Sequence, residues 1–185
     1  MKQMTIQRLW ATPLWQIDLA LGKEHNEALL MALRQPRHDS ASFNLFERKD
    51  QAVNLLEASI GEAVDQALSD AGYDLRFQQI GRGWTSVLHE NEWDTPHTHF
   101  GTAMVGVYYP QVPPGSGALW LLDPRGNAPF GEVIGGKDGR VGHRIEPREG
   151  LLVLFPSDVI HFVEPHRGTI PRISLGINIR LKRLS

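Results

Sequence analysis

The sequence predicts a mostly β protein, an antiparallel jelly-roll sandwich with two helices packed on one outer face. Two observations carry this. Two helical stretches come first, and beyond Gly72 the chain turns to seven short apolar runs separated by Pro- and Gly-containing turns. No helical stretch separates one run from the next, so βαβ crossovers cannot form and the strands should pair antiparallel.

The elements follow in order. Thr12 to Leu19 alternates loosely, with Leu14, Ile17 and Leu19 as candidates for burial and Pro13 confining the segment to a sheet edge. The first helix runs from Lys23 to Arg34 and stops before Pro36, because proline disfavours helical backbone in the residue ahead of it. From about Asp50 to Ala71, Val53, Leu56, Ile60, Val64, Ala67 and Leu68 recur mostly at spacings of three and four, which predicts a second helix with one apolar stripe. Gly72 sits where a left-handed residue would end it. The expected strands are Gly83 to His89, Thr102 to Tyr109, Ala118 to Leu122, Val141 to Ile145, Leu151 to Phe155, Ile160 to Val163 and Arg172 to Arg180. Asp123 to Gly139, with five glycines, two prolines and no sustained period, reads as a long loop of the functional-lid or disordered kind.

A chain of 185 residues fits one domain, residues 1–80 giving strand and helical support and residues 81–185 the jelly-roll core. Its 41% apolar and 22% charged residues are ordinary globular proportions, and a net charge of −2 offers no basic surface for nucleic acid or an acidic membrane. The expected partner is a small molecule or a peptide, and a homodimer is the base-rate expectation for assembly. There is no cysteine, which excludes disulfides, cysteine zinc sites and iron–sulfur clusters, and suits a reducing cytosol. Any metal must then be held by His, Asp or Glu. Met1 to Leu21 interleaves Lys2, Arg8 and Asp18 with apolar residues, unlike a signal peptide, and no apolar run reaches membrane-spanning length; a cytoplasmic protein is expected.

In Pro96-His97-Thr98-His99 the histidines are two residues apart, so in extended backbone both rings leave the same face and can share a metal. His161 closes an apolar run where a jelly roll could bring a distant strand opposite that pair. Three imidazoles on one face leave coordination positions open, as non-haem iron oxygenases require, although a chance His-x-His pair on a solvated strand has the same spacing. The other histidines, His25, His38, His89, His143 and His166, lack a partner at useful spacing and read as surface or hydrogen-bonded residues.

Eleven residues beyond His161, the segment Arg172 to Arg180 alternates strictly: Arg172, Ser174, Gly176 and Asn178 on one face, Ile173, Leu175, Ile177 and Ile179 on the other. The commoner arrangement puts such a polar face in water; helices on the outside would invert it and turn Arg172 and Ser174 into the cavity. An arginine fork beside a hydroxyl suits a carboxylate.

Together these residues resemble the 2-oxoglutarate and Fe(II)-dependent oxygenase superfamily, specifically a bacterial and phage subgroup with a His-x-His first motif. The likeness runs from Thr12-Pro-Leu-Trp15 to Asn178. It rests on His97-Thr-His99, Val105-Gly-Val-Tyr-Tyr109, Gly117-Ala-Leu-Trp-Leu-Leu-Asp-Pro124, Gly150-Leu-Leu-Val-Leu-Phe-Pro-Ser157, His161 and Arg172-Ile-Ser174 in that order.

The resemblance implies a double-stranded β-helix, Fe(II) at His97, His99 and His161, O2 as oxidant, and 2-oxoglutarate as cosubstrate with its distal carboxylate on Arg172, supported by Ser174 and more weakly by Tyr109. It implies hydroxylation of a bound substrate with release of succinate and CO2, and no catalytic side chain beyond the metal centre. One departure stands out: the superfamily's first motif usually supplies a carboxylate where this chain has His99. Asp94, in an expected turn, is the best substitute ligand, ahead of Asp158. A cupin-like three-histidine enzyme without 2-oxoglutarate, and a jelly-roll binding module stacking ligands on Trp84, Trp93 and Trp120, are the rival readings.

Overall fold

In the computed structural model, which describes residues 11–33, 44–48, 50–123 and 142–184, helices α1 (Lys23–Leu33) and α2 (Gln51–Asp70) cover one of two antiparallel sheets. The strands are β1 (Trp15–Asp18), β2 (Leu75–Leu88), β3 (Asp94–His97), β4 (Met104–Gln111), β5 (Leu119–Leu122), β6 (Gly142–Ile145), β7 (Leu151–Pro156), β8 (His161–Val163) and β9 (Arg172–Arg183). One sheet has the order β1-β7-β4-β9-β2 and the other β3-β8-β5-β6. Most of the loop expected over Asp123 to Gly139, and Val141, Arg34, Pro36 and His38, lie outside the described residues.

The ends of α2 follow from local chemistry. The Asp50 side chain accepts from the Ala52 amide at 3.0 Å, satisfying a donor the first turn leaves open. At the other end Gly72 takes φ +74°, its amide bonds Ser69 O at 3.0 Å, and the Tyr73 amide reaches back to Leu68 O at 2.9 Å. The α2 stripe then buries Val53, Leu56, Ile60, Val64 and Leu68 against Leu175, Ile177 and Ile179 of β9 and Leu152 and Leu154 of β7. The alternate residues of β4 and β7, Val105, Val107, Tyr109, Leu151, Val153 and Phe155, turn the other way and meet Leu119, Leu121, Ile145 and Val163 between the sheets. Strands β4 and β7 are thus apolar on both faces because helices cover one and the second sheet the other.

Two expectations change. Among the described residues there are nine strands, not an opening strand and seven more, because Asp94 to His97 forms β3 on β8 where a turn was expected at Asp94. Strand β2 starts at Leu75, eight residues before the expected Gly83; register shifts between Phe77 and Gln79 and between Ile80 and Arg82 break the alternation that would have revealed it. Strand β1 lies at the edge of its sheet beside β7, where Pro13 confined the opening strand.

Candidate metal and cosubstrate site

His97, at the end of β3, sits directly across from His161, the first residue of β8; His99 follows His97, with its amide tied to Ser157 O at 3.0 Å. The ring centroids of His97 and His161 are 4.3 Å apart, and each lies 5.1 Å from that of His99. One ligand atom from each of the three falls within 4.8 Å of the others, so the group could hold a metal ion.

The hydrogen bonds settle the tautomers. His97 Nδ1 lies 2.7 Å from Thr95 O, His161 Nδ1 3.0 Å from Val159 O, and His99 Nδ1 2.7 Å from Asn178 Oδ1. Carbonyl oxygens only accept, so each Nδ1 carries a proton and donates, which in the neutral ring leaves the lone pair on Nε2. His99 Nε2 is buried with no hydrogen-bond partner. An orphaned acceptor costs stability unless a ligand satisfies it, and a fixed Nδ1–H is the usual support of a metal-bound imidazole. The residues present therefore fit a divalent metal ion.

Burial favours the neutral form of two of these rings, His161 and His99. It pushes His161 down to about 4, with the Val159 carbonyl opposing and the neighbouring His97 and His99 adding to the depression. The same burial lowers His99, against the bond to Asn178 and with a further contribution from His97. Trp84 stacks on His99 with centroids 5.3 Å apart.

The second group lies on β9 and β4. Arg172 is fully buried, its Nη1 donates to Ser174 Oγ at 3.1 Å, and its guanidinium carbon lies 5.0 Å from the centre of the buried Tyr109 ring. Arg172 Nε and Nη2 and the Tyr109 hydroxyl are buried without partners. Burial pushes Tyr109 up to about 12, with the Arg172 charge opposing, so its hydroxyl is protonated and able to donate. Buried, unpaired donors around a cation could receive a carboxylate. Ser174, the three histidines, Trp84, Ser86 and Asp94 line one cavity of about 380 Å³.

The structure therefore brings His97, His99 and His161 together, and Arg172, Ser174 and Tyr109 together. Asp94 lines the cavity, its Oδ2 accepting from Ser86 Oγ at 3.5 Å, but stays outside the ligand group, and Asp158 is exposed. Of the remaining histidines, His166 is fully buried and hydrogen-bonded to Ile170 O at 2.7 Å. Of the tryptophans, Trp120 donates to Glu164 at 2.6 Å, while Trp93 is 52% exposed. Asn178 and Ser86 had no assigned role in the sequence, and Trp84 figured only as a stacking ring of the rival binding module, although the β9 alternation already placed Asn178 on the face of Arg172 and Ser174.

An antiparallel jelly roll in which three imidazoles could hold a metal ion, with a buried cation on the same strand as the cavity's Ser174, is the architecture of a metal-dependent enzyme. Residues 82–178 match the family model described as "Putative 2OG-Fe(II) oxygenase", and the chain belongs to that family. It is an Fe(II)- and 2-oxoglutarate-dependent oxygenase using O2.

Solved structures share the fold. A Pseudomonas putida prolyl-4-hydroxylase superposes with a TM-score of 0.64 at 19% identity, over 96% of this chain and 91% of that one. A collagen prolyl hydroxylase of Paramecium Bursaria Chlorella virus-1 gives 0.59 at 11%, over 97% and 99%. HygX from Streptomyces hygroscopicus, with nickel and 2-oxoglutarate bound, gives 0.54 at 14%, over 91% and 83%. No curated protein matches the chain.

Proposed function

We propose that His97, His99 and His161 hold the iron through Nε2, and that Arg172, with Ser174 and Tyr109, receives the distal carboxylate of 2-oxoglutarate. The observation that carries this is the shared tautomer: three Nδ1–H groups committed to Thr95 O, Asn178 Oδ1 and Val159 O, leaving three lone pairs in one cavity. A carboxylate ligand is not required, and Asp94 is left to face the substrate.

Bound iron would couple oxidative decarboxylation of 2-oxoglutarate to insertion of one oxygen atom into a substrate C–H bond, so that O2, 2-oxoglutarate and substrate give hydroxylated substrate, succinate and CO2. The chain's own part is positional. Arg172 offsets the cosubstrate's charge, and its burial makes that interaction stronger than at a wet surface. Trp84 and the carbonyl acceptors fix the imidazoles before metal arrives. Val105, Val107 and Val163 give the cavity an apolar side that holds little water.

The substrate is a peptide side chain or a small molecule, a reading supported by the prolyl hydroxylases of the same fold. We place the protein in the cytoplasm on the absence of cysteine; no helix among the described residues is long and apolar enough to cross a membrane. The test is anaerobic metal loading. The native chain should bind one Fe(II); alanine at His97, His99 or His161 should abolish tight binding, and Asp94→Ala should leave it unchanged. Loss of metal in Asp94→Ala with retention in His99→Ala would transfer the third ligand to the carboxylate.

A further inference from the structure

Beyond the cavity, the β2–β9 ribbon continues as an open two-stranded arm. Register puts Trp84 opposite Gly176, Arg82 opposite Asn178, Gln79 opposite Arg180 and Arg76 opposite Lys182. Across the bulges these residues keep to the face that carries Ser86 and Ser174 inside the cavity, because Phe77, Ile80, Ile179 and Leu181 take the opposite, helix-covered face. Four cations, Arg82, Arg180, Arg76 and Lys182, thus form an exposed row leading outward from His99. The row is joined to the site: the Arg82 guanidinium lies 5.8 Å over Trp84, which stacks on His99. Among the described residues no carboxylate pairs with any of the four, whereas Arg144 and Arg148 both have acidic partners. The net charge of −2 conceals this local field; the expectation that the chain offers no basic surface holds only for the average.

Exposed apolar side chains also lie next in sequence to residues that line the cavity. Phe100, next to His99, is 94% exposed, Trp93 is 52% exposed, and Ile160, next to His161, is 40% exposed.

Resting on the reading of the cavity as the oxygenase site, we propose that the substrate is a polypeptide segment with acidic residues flanking the oxidised one, docked along the β2–β9 arm. An extended peptide repeats its side chains every two residues, at roughly 6.6 Å, the same spacing as Asn178, Arg180 and Lys182 along β9. Its carboxylates therefore fall about two and four residues from the position over the metal. A nucleic acid fits less well: such interfaces are far more positive overall, and Trp84, the ring nearest the row, is already stacked on His99.

Fluorescence anisotropy on the full chain loaded with Ni(II) and 2-oxoglutarate tests this, using three labelled probes: a ten-residue peptide alternating glutamate and threonine, its lysine counterpart, and a ten-nucleotide oligothymidine. The acidic peptide should bind best and weaken with salt. The combined variant Arg76→Gln, Arg180→Gln, Lys182→Gln should weaken it about tenfold, while 2-oxoglutarate binding stays as in the native chain. Equal binding of acidic and basic peptides, or no loss in the variant, overturns the proposal; tighter oligothymidine binding replaces the peptide with a nucleic acid. If the native chain fails to bind 2-oxoglutarate but the acidic peptide still follows the variant, the oxygenase site is misassigned and the docking arm stands.

Discussion

Asn178 Oδ1 accepts the Nδ1–H of His99 at 2.7 Å, a contact between residues 79 positions apart that makes the last long strand responsible for the tautomer of a candidate iron ligand. Loss of such a partner typically lowers metal affinity ten- to a hundredfold. Asn178→Ala should therefore weaken Fe(II) binding by about that factor in an anaerobic competition titration, and Asn178→Asp, which keeps the acceptor, should restore most of it. Equal loss in both variants would mean that Asn178 matters only to packing.

Arg172→Ala removes the cation of the carboxylate receptor. A charge-assisted hydrogen-bonded pair contributes about 1.5 to 3 kcal/mol, so 2-oxoglutarate should bind roughly ten- to a hundredfold more weakly, with Fe(II) affinity unchanged. Because Tyr109 and Ser174 remain, some affinity should survive. Unchanged 2-oxoglutarate binding would remove Arg172 from the site.

Gly176 leaves room for Trp84. A Cβ there would lie 2.3 Å from Trp84 Cζ2, so Gly176→Ala must displace the indole that stacks on His99. Overpacking of this kind costs about 1 to 3 kcal/mol, and metal affinity should fall with it. Denaturant unfolding and metal titration on the same variant check both effects; a variant of native stability would show that Trp84 can move freely.

The metal-free protein should lose stability on acidification. His161 has a folded value of about 4 against an ordinary 6.5, so between those limits the unfolded chain binds more protons than the native one, and stability falls as pH falls. The contribution reaches on the order of 3 kcal/mol once the pH is below about 4. Denaturation midpoints between pH 7 and 5 should decline less steeply in His161→Asn than in the native chain; equal slopes would mean that His161 is readily protonated in place.

What the sequence revealed and concealed follows from periodicity. From Arg172 to Arg180 the alternation is unbroken, so both faces of β9 were legible: aliphatic residues under α2, and Arg172, Ser174 and Asn178 inward. His97 and His99 share a face by the same rule. Leu75 to Arg82 was hidden by two register shifts, and with it the cationic arm. Asp94 to His97 is short and irregular in register, so Asp94 looked like a turn residue. The partners of the imidazoles could not be read at all, since the His99–Asn178 bond depends on the sheet order that places β9 beside the metal site.

Titrating 2-oxoglutarate into the anaerobic Fe(II)-loaded chain, and following the visible charge-transfer band of a chelated ketoacid, decides whether three imidazoles hold iron beside a 2-oxoglutarate receptor. The native protein should give a saturable band, absent in His161→Ala and requiring roughly ten- to a hundredfold more 2-oxoglutarate in Arg172→Ala. Bound iron without a band in the native protein, or a band that persists in His161→Ala, would contradict that arrangement.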